Sequence, residues 1–292
     1  MAWQETEHRD FRGGENLADN ERVLKPDQVV IMENAFVTGH GQVEKRKGMT
    51  LVDDAAQHPA RIDVISILHR SANEKYMFVI SNKQIRLHDG TVLYDGINEG
   101  TYGVSVFGTK WLLVDGGEFY ESDGTEEGTV SVKVPNLTGA TLDPIRRCRV
   151  LLTRGHRLFA AGDPQFPHVV YYSQPNEYNY FKDAKGTEPA DMRVPIGQHD
   201  AQPILVMLEM FGGVLIGKPS GWWLMRGDPD ADLRVERIIT GQGPIHPCCV
   251  VAGSEVWYVS NDGIRSLQEK ESNVFTSIYV GHPHNKIGRA HV

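Results

Sequence analysis

From Arg61 onward apolar and polar residues alternate with a period of two, the spacing of strands that bury one face. The same order recurs along the chain: a strand, a Gly or Asp-Gly turn, a second strand, then a longer polar loop. IDVISILHR with YMFVISNKQIRLHDGTVLYDG shows it, as do VSVFGTKWLLVDGGEFYESDGT and RVLLTRGHRLFAAGD with HVVYYSQ. ILVMLEMFGGVLIGKPSGWWLMRGD, LRVERIITGQG and CVVAGSEVWYVSNDGIRSL complete the series. FGTKWLLVD, RGHRLFAAGD, FGGVLIGKPSGWWLM and AGSEVWYVSNDGI superimpose, each with a glycine turn just before an apolar strand. A repeat of roughly 35–50 residues is the interval of a four-stranded propeller blade. The expected fold is therefore all-β, a β-propeller of about four to five blades that form an incomplete ring. Residues 1–58, rich in Asn, Asp, Glu and Gly, read as an extended N-terminal arm and hairpin, and residues 59–285 as the blades.

One stretch, Arg157–Phe181, concentrates aromatic rings and raises the question of a stacking surface. Leu158, Phe159 and Ala160 read as an inner strand, Gly162, Asp163 and Pro164 as a turn, and Val169–Tyr172 as the next strand. Tyr178, Tyr180 and Phe181 then read as a loop folding back over the blade. The rings are expected to pack between blades, given the apolar area each brings to a β core. Asp262 and Gly263 are expected to close a tight hairpin, as are Asp89-Gly90 and Asp123-Gly124.

Composition narrows the partners. The 292 residues carry 30 Lys plus Arg against 38 Asp plus Glu, a formal net charge of -8, which disfavours sequence-independent capture of duplex nucleic acid over the whole surface. Three cysteines, two of them adjacent, make a disulfide scaffold improbable. MAWQETEHRDFRGG lacks the apolar centre of a secretion signal, so synthesis in a reducing cytoplasm is expected. The longest apolar runs fall far short of the roughly 20 residues that cross a bilayer, and no membrane partner is expected.

Candidate chemistry is sparse. Asp228, Asp230 and Asp232 alternate like calcium ligands but lack the turn glycine and the distal glutamate, so a solvated hairpin tip is expected instead. His282 and His284 lack a second ligand pair, and His58, His168 and His246 each adjoin a proline. There is no nucleophile elbow, Walker loop or dinucleotide fingerprint; no enzyme activity, metal or cofactor is expected. A basic run does occur, with Arg146, Arg147, Arg149, Arg154 and Arg157 around one strand and its turn, and Lys45, Arg46 and Lys47 form a second cluster. Two readings stand for these cations: ion pairs between blades or subunits, or a phosphate-facing rim touching DNA weakly and without sequence preference.

The order of motifs carries a resemblance over roughly Gly13–Leu267. GGENLADNERVLKPDQVVIMENAFVTGHGQVEKRKGMTLV is followed by RLFAAGDP, VVYYSQP, YNYF, GGVLIGKPSGWWLMRGDPD, GQGPIHPCCV and VWYVSNDGIRSL. This order resembles the β-propeller virion proteins of tailed bacteriophages: tail nozzle, tail-tubular and packaged-DNA-stabilisation hub proteins. The resemblance implies a structural subunit, assembled in the host cytoplasm and resident in the virion tail. It implies a homo-oligomeric ring around the DNA channel, with the portal or adaptor ring and other tail proteins as neighbours, serving assembly, genome retention and ejection. The closing KIGRAHV looks like a translated sequencing adapter, so Lys286–Val292 are expected to be non-biological and the reading frame cut short. The competing reading is a carbohydrate-binding or glycoside-hydrolase-like propeller with Trp222, Trp223, Tyr171 and Tyr172 as sugar platforms.

Overall fold

The computed structural model describes residues 61–126, 129–130, 132, 143–181, 192–197, 200, 202–271 and 273–280, with short strand pieces nearer the N-terminus. The chain divides into two compact units, Met1–Asp54 and Ala55–Val292. In the first, β1 (Gly14–Glu15) pairs in parallel with β2 (Gln28–Val29), and β3 (Ala35–Val37) pairs antiparallel with β4 (Val43–Lys45).

The second unit is a series of antiparallel sheets in chain order. The first sheet holds β5 (Ile62–His69), β6 (Lys75–Ser81), β7 (Gln84–Leu87) and β8 (Val92–Asp95). The second holds β9 (Gly103–Phe107), β10 (Lys110–Val114) and β11 (Phe119–Ser122), and is followed by a small ribbon of β12 (Thr125–Glu126) and β13 (Thr129–Val130). A single helical turn, α1 (Asp143–Arg146), leads to the third sheet of β14 (Val150–Arg154), β15 (Arg157–Asp163), β16 (Phe166–Tyr172) and β17 (Arg193–Pro195). The fourth consists of β18 (Val206–Met210), β19 (Gly213–Lys218), β20 (Gly221–Arg226) and β21 (Arg234–Thr240). The fifth consists of β22 (Cys249–Ala252), β23 (Glu255–Ser260), β24 (Gly263–Glu271) and β25 (Val274–Tyr279). Each sheet is an up-and-down meander, and β14, the first strand of the third sheet, lies against β9 and β18, the first strands of its neighbours. This is the propeller-like arrangement that the period-two pattern predicts, with the four-stranded module present in four of the five sheets.

Strand parity explains how the sheets stack. Successive side chains of a strand point to opposite faces, so neighbouring residues feed different cores. Trp111 and Leu113 join Leu68, Phe78, Ile80 and Ile85 between the first and second sheets, while Leu112 and Val114 face Leu158 and Ala160 of the third. Phe159 and Ala161 turn the other way, against Val214, Ile216, Trp223 and Met225 of the fourth. Leu215, Trp222 and Leu224 then meet Val256, Tyr258 and Leu267 of the fifth.

The superimposed glycines all fall in two-residue hairpin loops, Gly108, Gly155 and Gly253 in the first place and Gly212 in the second, after Phe211. Gly108, Gly155, Gly212 and Gly253 sit at the tip between the first and second strands of four successive sheets, with φ of 58°, 58°, 72° and 63°. A Cβ at any of them would meet nothing within 4 Å, so backbone conformation rather than space selects glycine there. Space selects Gly103, where an added Cβ would come within 2.8 Å of the Leu151 backbone nitrogen across the second and third sheets.

Two expected turns are placed differently. Gly162 and Asp163 belong to β15, with a register shift between Ala161 and Asp163, and the turn is Pro164–Gln165. The bulge absorbs the extra residue, and Gly162 takes the positive φ of 79°. Leu158–Ala160 lie in β15, the second of the four strands and paired on both sides, the inner strand expected. In the fifth sheet Ser260 pairs with Gly263, so the two-residue loop is Asn261–Asp262 and Gly263, at φ 123°, opens the next strand.

A buried carboxylate closes the second strand of the second sheet. Burial opposes the charge of Asp115. Yet it accepts the N–H groups of Glu118 at 2.7 Å, Asn98 at 2.8 Å and Gly117 at 2.9 Å, and the Tyr120 hydroxyl at 3.0 Å, which together hold its pKa below the ordinary range. A folded-state pKa below the unfolded value gives stability that is present above the unfolded pKa and lost as pH falls through the folded one. Asp115→Asn is therefore expected to cost about 1–2 kcal/mol near neutral pH. The gap to wild type should narrow as pH drops below about 3.9. Urea midpoints of both proteins across that range test this, and a pH-independent gap counts against it.

Candidate functional site

The basic run is the obvious place to look for a working surface, and its side chains diverge. Arg146 pairs with Glu118 of the second sheet at 3.7 Å, and Arg149 donates to the Thr101 carbonyl at 3.2 Å. Arg154 reaches Glu209 at 3.5 Å and the Gly212 carbonyl at 3.0 Å, both on the fourth sheet. Arg157 is buried; it donates to the Ser173 carbonyl at 2.8 Å and to Asp228 at 3.2 Å, contacts Asp230, and lies over the Tyr172 ring. Arg147 grips Asp163 through two bonds, Nε to Oδ1 at 3.0 Å and Nη2 to Oδ2 at 3.1 Å. Four of these five arginines thus tie the third sheet to its two neighbours, three of them through ion pairs and Arg149 through a carbonyl. Arg157 is buried with its guanidinium on two carboxylates and a carbonyl, so it lies within the sheet interface and not on an exposed rim. Of the second cluster, Lys45 ends β4, while the side chain of Lys45 and all of Arg46 and Lys47 lie outside the described residues.

Asp163 is the centre that sequence reasoning missed. Its fully buried carboxylate accepts from Arg147, from the Tyr171 hydroxyl at 3.1 Å and from the Gln165 N–H at 3.0 Å. It occupies the position that Asp115 holds one sheet earlier, each acid tethering a tyrosine of its own third strand. In the fourth sheet Lys218 stands at the end of the same strand, fully buried. Burial pushes its pKa below the ordinary lysine range, though Asp200 works the other way, and the ammonium donates to the Ile196 carbonyl at 2.8 Å. The signal available in the sequence was an acid or lysine at one place in three successive repeats: LLVD, AAGD, LIGK.

The aromatic stretch answers its own question. Tyr171, Tyr172, Trp222 and Trp223 are all buried between sheets, and Phe181 sits in the core of the second and third. The four proposed sugar platforms are thus corrected: rings stacked inside sheet interfaces present no face to a ligand. Tyr178 folds back onto Phe107 and Phe119 at centroid distances of 5.9 and 6.3 Å, the loop placement expected for it. Burial and its bond to Glu121 push its hydroxyl up to about 12. At the Asp228–Asp232 tip, Asp228 accepts the Asp230 N–H at 2.8 Å and Asp232 accepts that of Asp228 at 2.8 Å, the expected hairpin tip. His58, His282, His284 and Lys286–Val292 lie outside the described residues.

The largest described opening is a cleft of about 590 Å3 where the inner ends of the first, second and fifth sheets converge. Arg61, Asp63, Glu99, Tyr102, His246 and Cys248 border it. Arg61 clamps Asp63 at 2.7 and 2.9 Å, and His246 Nδ1 accepts the Cys248 N–H at 3.1 Å. No catalytic pair faces another across it in the contacts described; it is an open bay of mixed lining.

More distinctive is the outer face of the fifth sheet. Val256 and Tyr258 pack on the fourth sheet, whereas Trp257 and Val259 of the same strand are exposed, with Val250, Ile264 and Ile278 on adjoining strands. Ile65, Ile67 and Val92 are likewise exposed on the first sheet. The array ends on both sides in apolar sheet surface.

No family model matches the chain, and no curated protein matches it. Among solved structures it is similar to the extracellular domain of BT4673 from B. thetaiotaomicron, described as a one component system, with TM-score 0.50, 10% identity and coverage of 77% of this chain and 28% of that one. A second structure of that domain, described as a hybrid two component system, gives TM-score 0.47 and 8% identity over 77% of this chain and 28% of that one. The AfRom2 CNH domain gives TM-score 0.31 and 8% identity over 82% and 88%. The chain spans about 28% of the length of the first two. The first likeness speaks to fold alone, and with the sheet order it makes this an all-β, β-propeller-like protein.

Proposed function

We propose that the protein is a structural subunit of a tailed-phage tail or head-to-tail connector, working by assembly into a homo-oligomeric ring around the DNA channel. Its neighbours in that reading are the portal or adaptor ring and other tail proteins, and its place is the virion. One observation carries the reading: the order of motifs from Gly13 to Leu267, set on an array of stacked antiparallel sheets. DNA contact in this reading is weak and electrostatic, because the arginines of the third sheet are committed to carbonyls and carboxylates. Negative-stain microscopy of the purified protein tests it: rings with a central hole are expected. A monomer that binds glycans on an array overturns it.

A further inference from the structure

We draw no further inference here: the strongest candidate, the cleft bordered by the first, second and fifth sheets, singles out no class of ligand, because its two carboxylates are already held by cations, Asp63 by Arg61 and Glu99 by Lys83, and nothing in the structure shows what occupies it.

Discussion

Replacing Trp111 with alanine will destabilise the protein by about 3–5 kcal/mol. That is a large part of the roughly 5–15 kcal/mol that holds a typical domain together. Trp111 is fully buried between the first and second sheets and stacks on Phe78 with centroids 4.4 Å apart and planes 13° from parallel. Alanine leaves a cavity bounded by two rigid sheets, which cannot close without breaking register. Trp111→Phe should cost far less. The indole Nε1 has no hydrogen-bond partner among the described residues, so phenylalanine keeps most of the ring contact and relieves a desolvated donor. Urea titrations of the three proteins measure both differences. Equal losses for alanine and phenylalanine would mean that the stacking contributes nothing beyond the indole nitrogen.

The second large effect is at Asp163. Asp163→Ala is expected to cost about 3 kcal/mol, because it strands a guanidinium and a tyrosine hydroxyl against a buried wall. Arg147 is partly exposed and recovers some hydration, which places the value at the low end for a broken buried pair. The loss should be strongly non-additive. With Arg147→Ala already in place, removal of Asp163 should cost less by about 1–3 kcal/mol, the coupling of residues that share one network. A coupling near zero would show that the acid acts through Tyr171 and Gln165 alone.

These two residues mark where sequence reasoning was strong and where it stopped. Period two and the tip glycines located every strand of the stacked sheets around Trp111, because both are local: alternation follows from the pleat, and Gly108, Gly155, Gly212 and Gly253 follow from φ. Trp222 beside Trp223 could be read as one ring in and one out; in a sheet covered on both sides, each faces inward toward a different core. Asp163 was read as a turn residue since Gly-Asp-Pro is locally turn-like, and only the register of β15 with β16 puts its carboxylate under Arg147 and Tyr171. The arginines were visible as a cluster, but their partners were not. Asp228 lies 71 residues beyond Arg157, and nothing in the spacing announces that meeting. A propeller cut short is expected to leave a blade face bare, but which side chains form it was not legible: Val250, Trp257 and Ile264 have the same pattern as strands that are covered.

Alternating parity also sets how far a disturbance travels. Each of the middle sheets shares its residues between two interfaces, while the first and fifth sheets each contribute to one such core among the described residues. Cohesion then behaves as a line of links between adjacent members, and loosening begins at the outermost ones before it reaches the centre. A molecule built this way frays from its edges.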